Sequence, residues 1–259
     1  MRDWNPRWAA AHVLLILFAF GLMPLRSMAE TEDVVRPLQL SLFAPIQLFS
    51  EETSIAGLRL GVFYTRNENM TGLDVGGLFS QTLGDMTGLQ IGGANMTEGE
   101  VDGVQVGVVS SAGDARGVQL GAVNLALGDV RGVGLGLVNF VHEDFTGWQT
   151  GLVNAADGEV RAFQVGLTNQ MGDATGVQIG VAGEAEKLVG LQLGGFNHVG
   201  EGSGLQLGAF NVAEEIDGGV QLGVINVTRE MKGLQIGLIN VIEKGGWVMV
   251  LPLVNGSFD

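Results

Sequence analysis

The octet GLQLGAFN at residues 204–211 is preceded by GLQLGGFN at 190–197 and followed by GVQLGVIN at 219–226 and GLQIGLIN at 233–240. A catalytic site needs its special residues once. A chain that needs them every fourteenth or fifteenth residue is building an array, and a fixed short period constrains the fold more than any other feature. Aligned on the opening position, units begin at residues 57, 72, 88, 103, 117, 132, 147, 162, 176, 190, 204, 219, 233 and 247, spaced 14 to 16 apart with no linker. A second Gly stands four residues in, from Gly61 to Gly237, and fails only in the last unit, at Leu251. The third position is Gln in ten units: Gln90, Gln105, Gln119, Gln149, Gln164, Gln178, Gln192, Gln206, Gln221 and Gln235. Arg59, Asp74, Gly134 and Met249 are the exceptions. Asn closes the octet at Asn95, Asn124, Asn139, Asn154, Asn169, Asn197, Asn211, Asn226 and Asn240.

Within an octet Leu205, Leu207 and Ala209 share one parity, and Gly204, Gln206 and Gly208 the other. That is a strand period. The connecting residues are rich in Gly, Asp and Glu and read as turns. A further apolar mark falls two before the next opening, at Val130, Phe145, Val160 and Met231. Each unit is therefore expected to be a strand, a bend at the second Gly, a short second strand and a turn. Two architectures accept that unit. In a parallel β-solenoid of about fourteen coils, equal positions stack about 4.8 Å apart, Gln on Gln and Asn on Asn, as side-chain amide ladders. The rod would be about 65–70 Å long, each coil burying three or four apolar side chains, and the repeated Gly would turn a corner closed to a Cβ. In an up-and-down outer-membrane β-barrel, each unit would be one strand facing lipid with Leu. The solenoid is favoured: the connections are all alike where a barrel alternates them, one Tyr and four Trp make no aromatic girdle, and Asn would face lipid.

Composition bounds the rest. Arg2 and Arg7, the apolar run from Ala9 to Met23, and the small residues Ser27 and Ala29 describe a signal peptide over 1–29. Residues 30–56 then form a leader and cap strand, 57–246 a body of thirteen units, and 247–259 a degenerate last unit and C-terminal cap. PLQLSLFAPIQLF, with Pro37 and Pro45, supplies the first cap; Trp247 and Pro252 blunt the other end. The chain is expected to be exported. Without the signal, ten basic residues face 27 acidic ones, a net charge of −17, which argues against nucleic acid and anionic lipid as partners. Cysteine is absent, which removes disulfides, thiolate metal sites and a lipid-anchor cysteine.

At this point the residues resemble known families. The run GLRLGVFYTRNENMTGLDVG followed by G-x-Q-x-G-x-x-N units is similar to a family of bacterial exported surface-repeat proteins, over residues 38–256. The resemblance implies an envelope or surface location and no known enzymatic activity; the absence of Cys departs from its lipoprotein members. QLGAFNVA at 206–213 resembles the curlin repeat Q-x-G-x-x-N-x-A in its ladder chemistry. The short unit with a Gly corner is similar to the β-roll heads of trimeric adhesins, without their small-residue pattern.

Chemistry is sparse. His142 and His198 lie four units apart and read as solvated turn residues; Ser110, Ser111 and Ser203 have no repeated His or Asp partner; GVGLGLVN at 132–139 is followed by no helix and is a repeat variant. Acidic residues stand three before the opening position, at Asp85, Glu100, Asp114, Asp129, Asp144, Glu159, Asp173, Glu201 and Glu230. Stacking would line them up on one edge, where Asp85, Asp114, Asp129, Asp144 and Asp173 are weak candidates for cation ligands. The preferred reading is a solvated edge, partly balanced by Arg116, Arg131 and Arg161. No insertion is long enough to build a cleft, and no cofactor is expected. These features describe a non-enzymatic exported surface or periplasmic scaffold or adhesion-type module, its partner an unidentified protein or glycan at the envelope. Self-association through the coil ends is a further option, and a curli-like subunit or a barrel pore the alternatives, with membrane contact only for the barrel.

Overall fold

The computed structural model describes residues 34–258, so the expected signal segment, residues 30–33 of the leader and residue 259 lie outside it. All regular structure in the described residues is β. One coil shows the pattern. A strand over Asp114–Leu120 ends at a bend on Gly121 and Ala122, a second strand runs Val123–Ala126, and a short turn delivers the chain to Val130–Leu135. The new coil lies parallel on the old one with equal positions in register: Val130 on Ala115, Gly132 on Gly117, Leu135 on Leu120. The second strand stacks likewise, Val138 on Val123 and Asn139 on Asn124. The same parallel register links every coil from the strand Val35–Phe43 to the segment Ala182–Lys244. The fold is a parallel β-solenoid. An up-and-down barrel requires antiparallel neighbours throughout, and antiparallel pairing occurs here at the two ends alone among the described strands.

The two Gly positions have different duties. The second Gly sits at the bend, as expected; a Cβ on Gly121 would stand 2.6 Å from the Gly107 carbonyl oxygen. The opening Gly lies inside the first strand, not at a corner. Gly147 holds φ +150°, and a Cβ there would fall 1.8 Å from the Gly132 carbonyl oxygen of the coil below. The column of opening positions therefore stacks backbone on backbone, which glycine alone permits with ease.

The ends correct two details. Leu38-Gln39-Leu40 already stacks in parallel on Leu58-Arg59-Leu60, so the leader contributes a coil strand. Its free edge is covered by a hairpin through the cis Ala44–Pro45 bond that returns Ile46 and Gln47 antiparallel to Phe43 and Ser41. The expected last coil does not form. After Gly245, at φ +78°, the chain reverses, and Val250–Ser257 runs antiparallel along Gly233–Val241. This strand pairs the final edge and leaves Pro252 in it, a position where a further ladder would lack a donor.

The core overturns the expectation of three or four buried apolar residues per coil. Two apolar columns are buried. One precedes the opening Gly by two residues, as in Met70, Met86, Val101, Val130, Phe145, Val160 and Met231; the other follows the Asn by two, as in Ala112, Ala126, Val141, Met171 and Ile242. Between them the bore is closed by Gln and Asn, both buried, while Leu207, Leu135 and Leu73 of the alternate parity face outward at 41, 39 and 38 % exposure.

Candidate functional surface

The buried amides form two wires along the rod. In the first, Gln105 Nε2 donates to Gln90 Oε1 at 2.8 Å, Gln119 to Gln105 at 3.0 Å, Gln164 to Gln149 at 2.8 Å, Gln192 to Gln178 at 2.9 Å, Gln206 to Gln192 at 2.7 Å and Gln235 to Gln221 at 2.8 Å. Gln178 and Gln221 take the same donor direction. In the second, Asn124 Nδ2 donates forward to Asn139 Oδ1 at 2.8 Å, Asn139 to Asn154 at 2.8 Å, Asn154 to Asn169 at 2.9 Å, Asn197 to Asn211 at 2.8 Å, Asn211 to Asn226 at 2.8 Å and Asn226 to Asn240 at 2.7 Å. The Gln wire points toward the N-terminal end and the Asn wire toward the C-terminal end, so their dipoles oppose one another. Each Asn also donates to a backbone carbonyl of the next coil, Asn139 to Thr150 O at 3.0 Å for example. The Asn wire ends on backbone, Asn240 donating to Leu251 O, whereas Gln235 Oε1 at the C-terminal end of the Gln wire has no donor; at the N-terminal end of that column Gln39 exchanges two hydrogen bonds with Phe49.

Buried amides must be satisfied or they destabilise, by about 1–3 kcal/mol per orphaned group. Three of the unpaired oxygens mark where the Asn wire breaks. Asn124 Oδ1 lacks a donor beside Ser110, Asn197 Oδ1 lacks one beside Gly183, and Ser110 Oγ is itself unpaired. Ser110 occupies the Asn register on Asn124 and Asn95. Ser110→Asn is therefore expected to join the wire, accepting from Asn95 and donating to Asn124. It should raise stability by about 1–2 kcal/mol in urea unfolding, each new bond being worth about 1 kcal/mol; a destabilised variant would contradict the wire.

Near the N-terminal end the Gln column holds an ion pair. Arg59 Nε and Nη2 donate to the Asp74 carboxylate at 2.9 and 2.7 Å, and both side chains are fully buried. Arg59 also donates to Gln81 O at 3.1 Å and Thr82 Oγ1 at 2.9 Å, while Gln90 donates to Asp74 Oδ2 at 2.9 Å. The carboxylate and guanidinium thus substitute for two amides and hand the wire on. Beside them Tyr64 donates to Gln81 Oε1 at 2.6 Å, and burial raises its hydroxyl above the usual tyrosine range.

The acidic column is aligned on one edge, and its carboxylates bond along the rod. Asp85 Oδ1 accepts from Glu100 N at 2.9 Å, Asp114 from Asp129 N at 2.8 Å, Asp129 from Asp144 N at 3.2 Å and Asp144 from Glu159 N at 2.8 Å. These bonds satisfy turn N–H groups that the sheet leaves free. Asp173 stacks between Glu159 and Lys187. Among the described residues no three acidic or histidine side chains converge on one point. Ion pairs run along the same edge, Arg116 to Glu100 at 3.0 Å and Lys244 to Glu230 at 2.8 Å, the latter hydrogen bond lowering the Glu230 carboxyl below its ordinary value. His142 and His198 lie here too, each beside an acidic residue, Asp157 at 3.4 Å and Glu184 at 3.9 Å. Ser203, half-buried, donates to Gly218 O at 3.1 Å, far in kind from a nucleophile with a base.

The remaining surface is of opposite character. Four rows face outward: the residues one, three, five and six past the opening position, such as Val133, Leu135, Leu137 and Val138. From Leu58 to Ile239 these rows carry no charged residue. Val108, Leu137 and Val181 are 64, 54 and 61 % exposed, and Trp148 packs edge-on against Phe163 of the next coil, centroids 5.5 Å apart. At the N-terminal end the band opens into a hollow of about 460 Å³ lined by Leu40, Leu42, Ile46, Leu48, Leu60 and Val62. A monomer's largest apolar patch is on the order of 300–600 Å² and such patches mark interaction sites; a band the length of the rod exceeds that. The sequence offered a signal for it. Arg116, Arg131, Arg161 and Lys232 stand one before the opening position, on the same parity as the Leu rows, and a charge that must face water turns those rows outward with it. Comparison with protein-family models, curated proteins and solved structures gives no match for this chain.

Proposed function

We propose that the chain is a non-enzymatic, exported scaffold or adhesion-type rod of the bacterial envelope, working by holding a partner along its length. The observation that carries this reading is the division of its circumference. Charges occupy one arc, and an uncharged apolar band runs along the other from Leu58 to Ile239. In-register stacking repeats that division at every coil, so the rod presents one extended face rather than one local site. The apolar band favours a protein partner over a glycan, whose hydroxyls it would leave unpaired. The signal-like segment Arg2–Ala29 and the similarity to exported surface-repeat proteins support the envelope location. Expression of the full chain followed by cell fractionation tests it: the expected result is a product shortened at Ala29 in the periplasm or at the surface, and full-length protein confined to the cytosol would contradict it.

A further inference from the structure

We propose that the occupant of the apolar band is a second copy of this chain, two rods packing side to side as a closed dimer. The inference deepens the scaffold reading, resting on the band as a docking face. Three observations select this occupant. The first is extent. Parallel coils rise about 4.8 Å each, so the stack from Pro37 to Gly233 is about 60 Å long. The two rows on the outer face of the first strand, those of Val133 and Leu135, span roughly 10 Å. Each copy then offers roughly 600 Å², and two copies bury roughly 1,200 Å² before the flanking rows of Leu137 and Val138 are counted, which reaches the range of stable interfaces.

The second observation is charge. The face carries no charge to desolvate, and its border is a polar row holding Thr87, Arg131, Thr146 and Arg161. An apolar centre with a polar rim is the anatomy of a protein interface. A membrane surface fits less well, because the mature chain is strongly acidic and an anionic bilayer would repel the charged arc beside the band. The third is shape. An uncharged strip as long as the whole rod is complementary to a surface of equal length and equal coil spacing, and a second copy is such a surface. Like patches on two copies close on a twofold axis, whereas the coil ends, which would give an open fibre, are already occupied by antiparallel strands at Ile46–Gln47 and Val250–Ser257.

The full chain, expressed with its own N-terminal segment and recovered without detergent, should sediment and scatter light with twice the chain mass at micromolar concentration. Leu135→Glu and Leu207→Glu each place a charge on the face while leaving the bore untouched. Either should weaken the dimer at least about a hundredfold, since an unpaired charge buried in an interface costs several kcal/mol. Glu143→Lys, on the charged arc, should leave the dimer intact. Thr150→Glu, at a naturally polar position of the same row, replaces either variant if it loses its strand circular dichroism. A monomer at all concentrations, a dimer that survives the face charges, or a series of open-ended species overturns the proposal. So does a monomer that floats with phosphatidylcholine–phosphatidylglycerol vesicles, which would make lipid the occupant. A dimer recovered from the cytosol would defeat the export reading and leave this one standing, so the two fail separately.

Discussion

Asp74→Ala is expected to destabilise the protein by about 3–5 kcal/mol, because it leaves the Arg59 guanidinium buried and unpaired. Arg59 and Asp74 are each fully buried and joined by two hydrogen bonds at 2.7 and 2.9 Å. Removing the carboxylate also takes the acceptor of Gln90 Nε2. The same column shows how the loss can be reversed. Elsewhere it stacks amide on amide, so Arg59→Gln combined with Asp74→Gln should extend the Gln wire from Gln90 toward Gln39. The double variant is expected within about 1 kcal/mol of the parent, since a buried ion pair replaced by a satisfied neutral pair costs little. Urea unfolding of the two single variants and the double one reads the coupling directly. A double variant as unstable as Asp74→Ala would show that the ion pair has a role the amides cannot fill.

Gly147→Ala is the second large effect, expected at about 2–5 kcal/mol. Two costs add. The residue holds φ +150°, where an L side chain is strained, and its Cβ would lie 1.8 Å from the Gly132 carbonyl oxygen, so the coil below must move. The neighbouring coil is the control. Ala162 occupies the equivalent position, stacked on Gly147, without a positive φ. Ala162→Gly should change stability by no more than about 1 kcal/mol, the ordinary cost of a glycine in a strand. Equal stability of Gly147→Ala and the parent in urea unfolding would contradict the backbone-on-backbone column.

The period of the repeat made the coil legible, and the return of Gln and Asn at fixed offsets made both ladders legible in the sequence alone. The bend at the second Gly followed from the same alignment. What the alternation left open was which parity is inside. A preference for burying Leu points the wrong way here, because the bore already takes an apolar residue on either side of the amides, Val130 and Val141 in one coil, and Gln and Asn fill the space between. The charged residues on the Leu parity, Arg131 above all, carry the signal that the alternation alone lacks. At the C-terminal end, spacing alone aligned Trp247 with the opening Gly, while Gly245 and Gly246 give the chain the freedom to reverse. The Arg59–Asp74 pair was visible as two exceptions in one column; its meaning required knowing that the column is buried, since only there must opposite charges in consecutive rungs pair.

The central claim is that successive units stack in one direction and do not close on themselves. The chain contains no cysteine, so nitroxide labels can be placed in pairs on introduced cysteines with no native cysteine to remove. Thr71 and Thr146 precede opening positions five coils apart, and Thr71 and Lys232 eleven coils apart. At about 4.8 Å per coil, pulsed dipolar spectroscopy on Thr71→Cys with Thr146→Cys should give about 24 Å, and on Thr71→Cys with Lys232→Cys about 53 Å. Distances that grow in proportion to coil number are the result the solenoid predicts. A Thr71–Lys232 distance shorter than the Thr71–Thr146 distance, as when the last strands return to the first in a closed barrel, would contradict it.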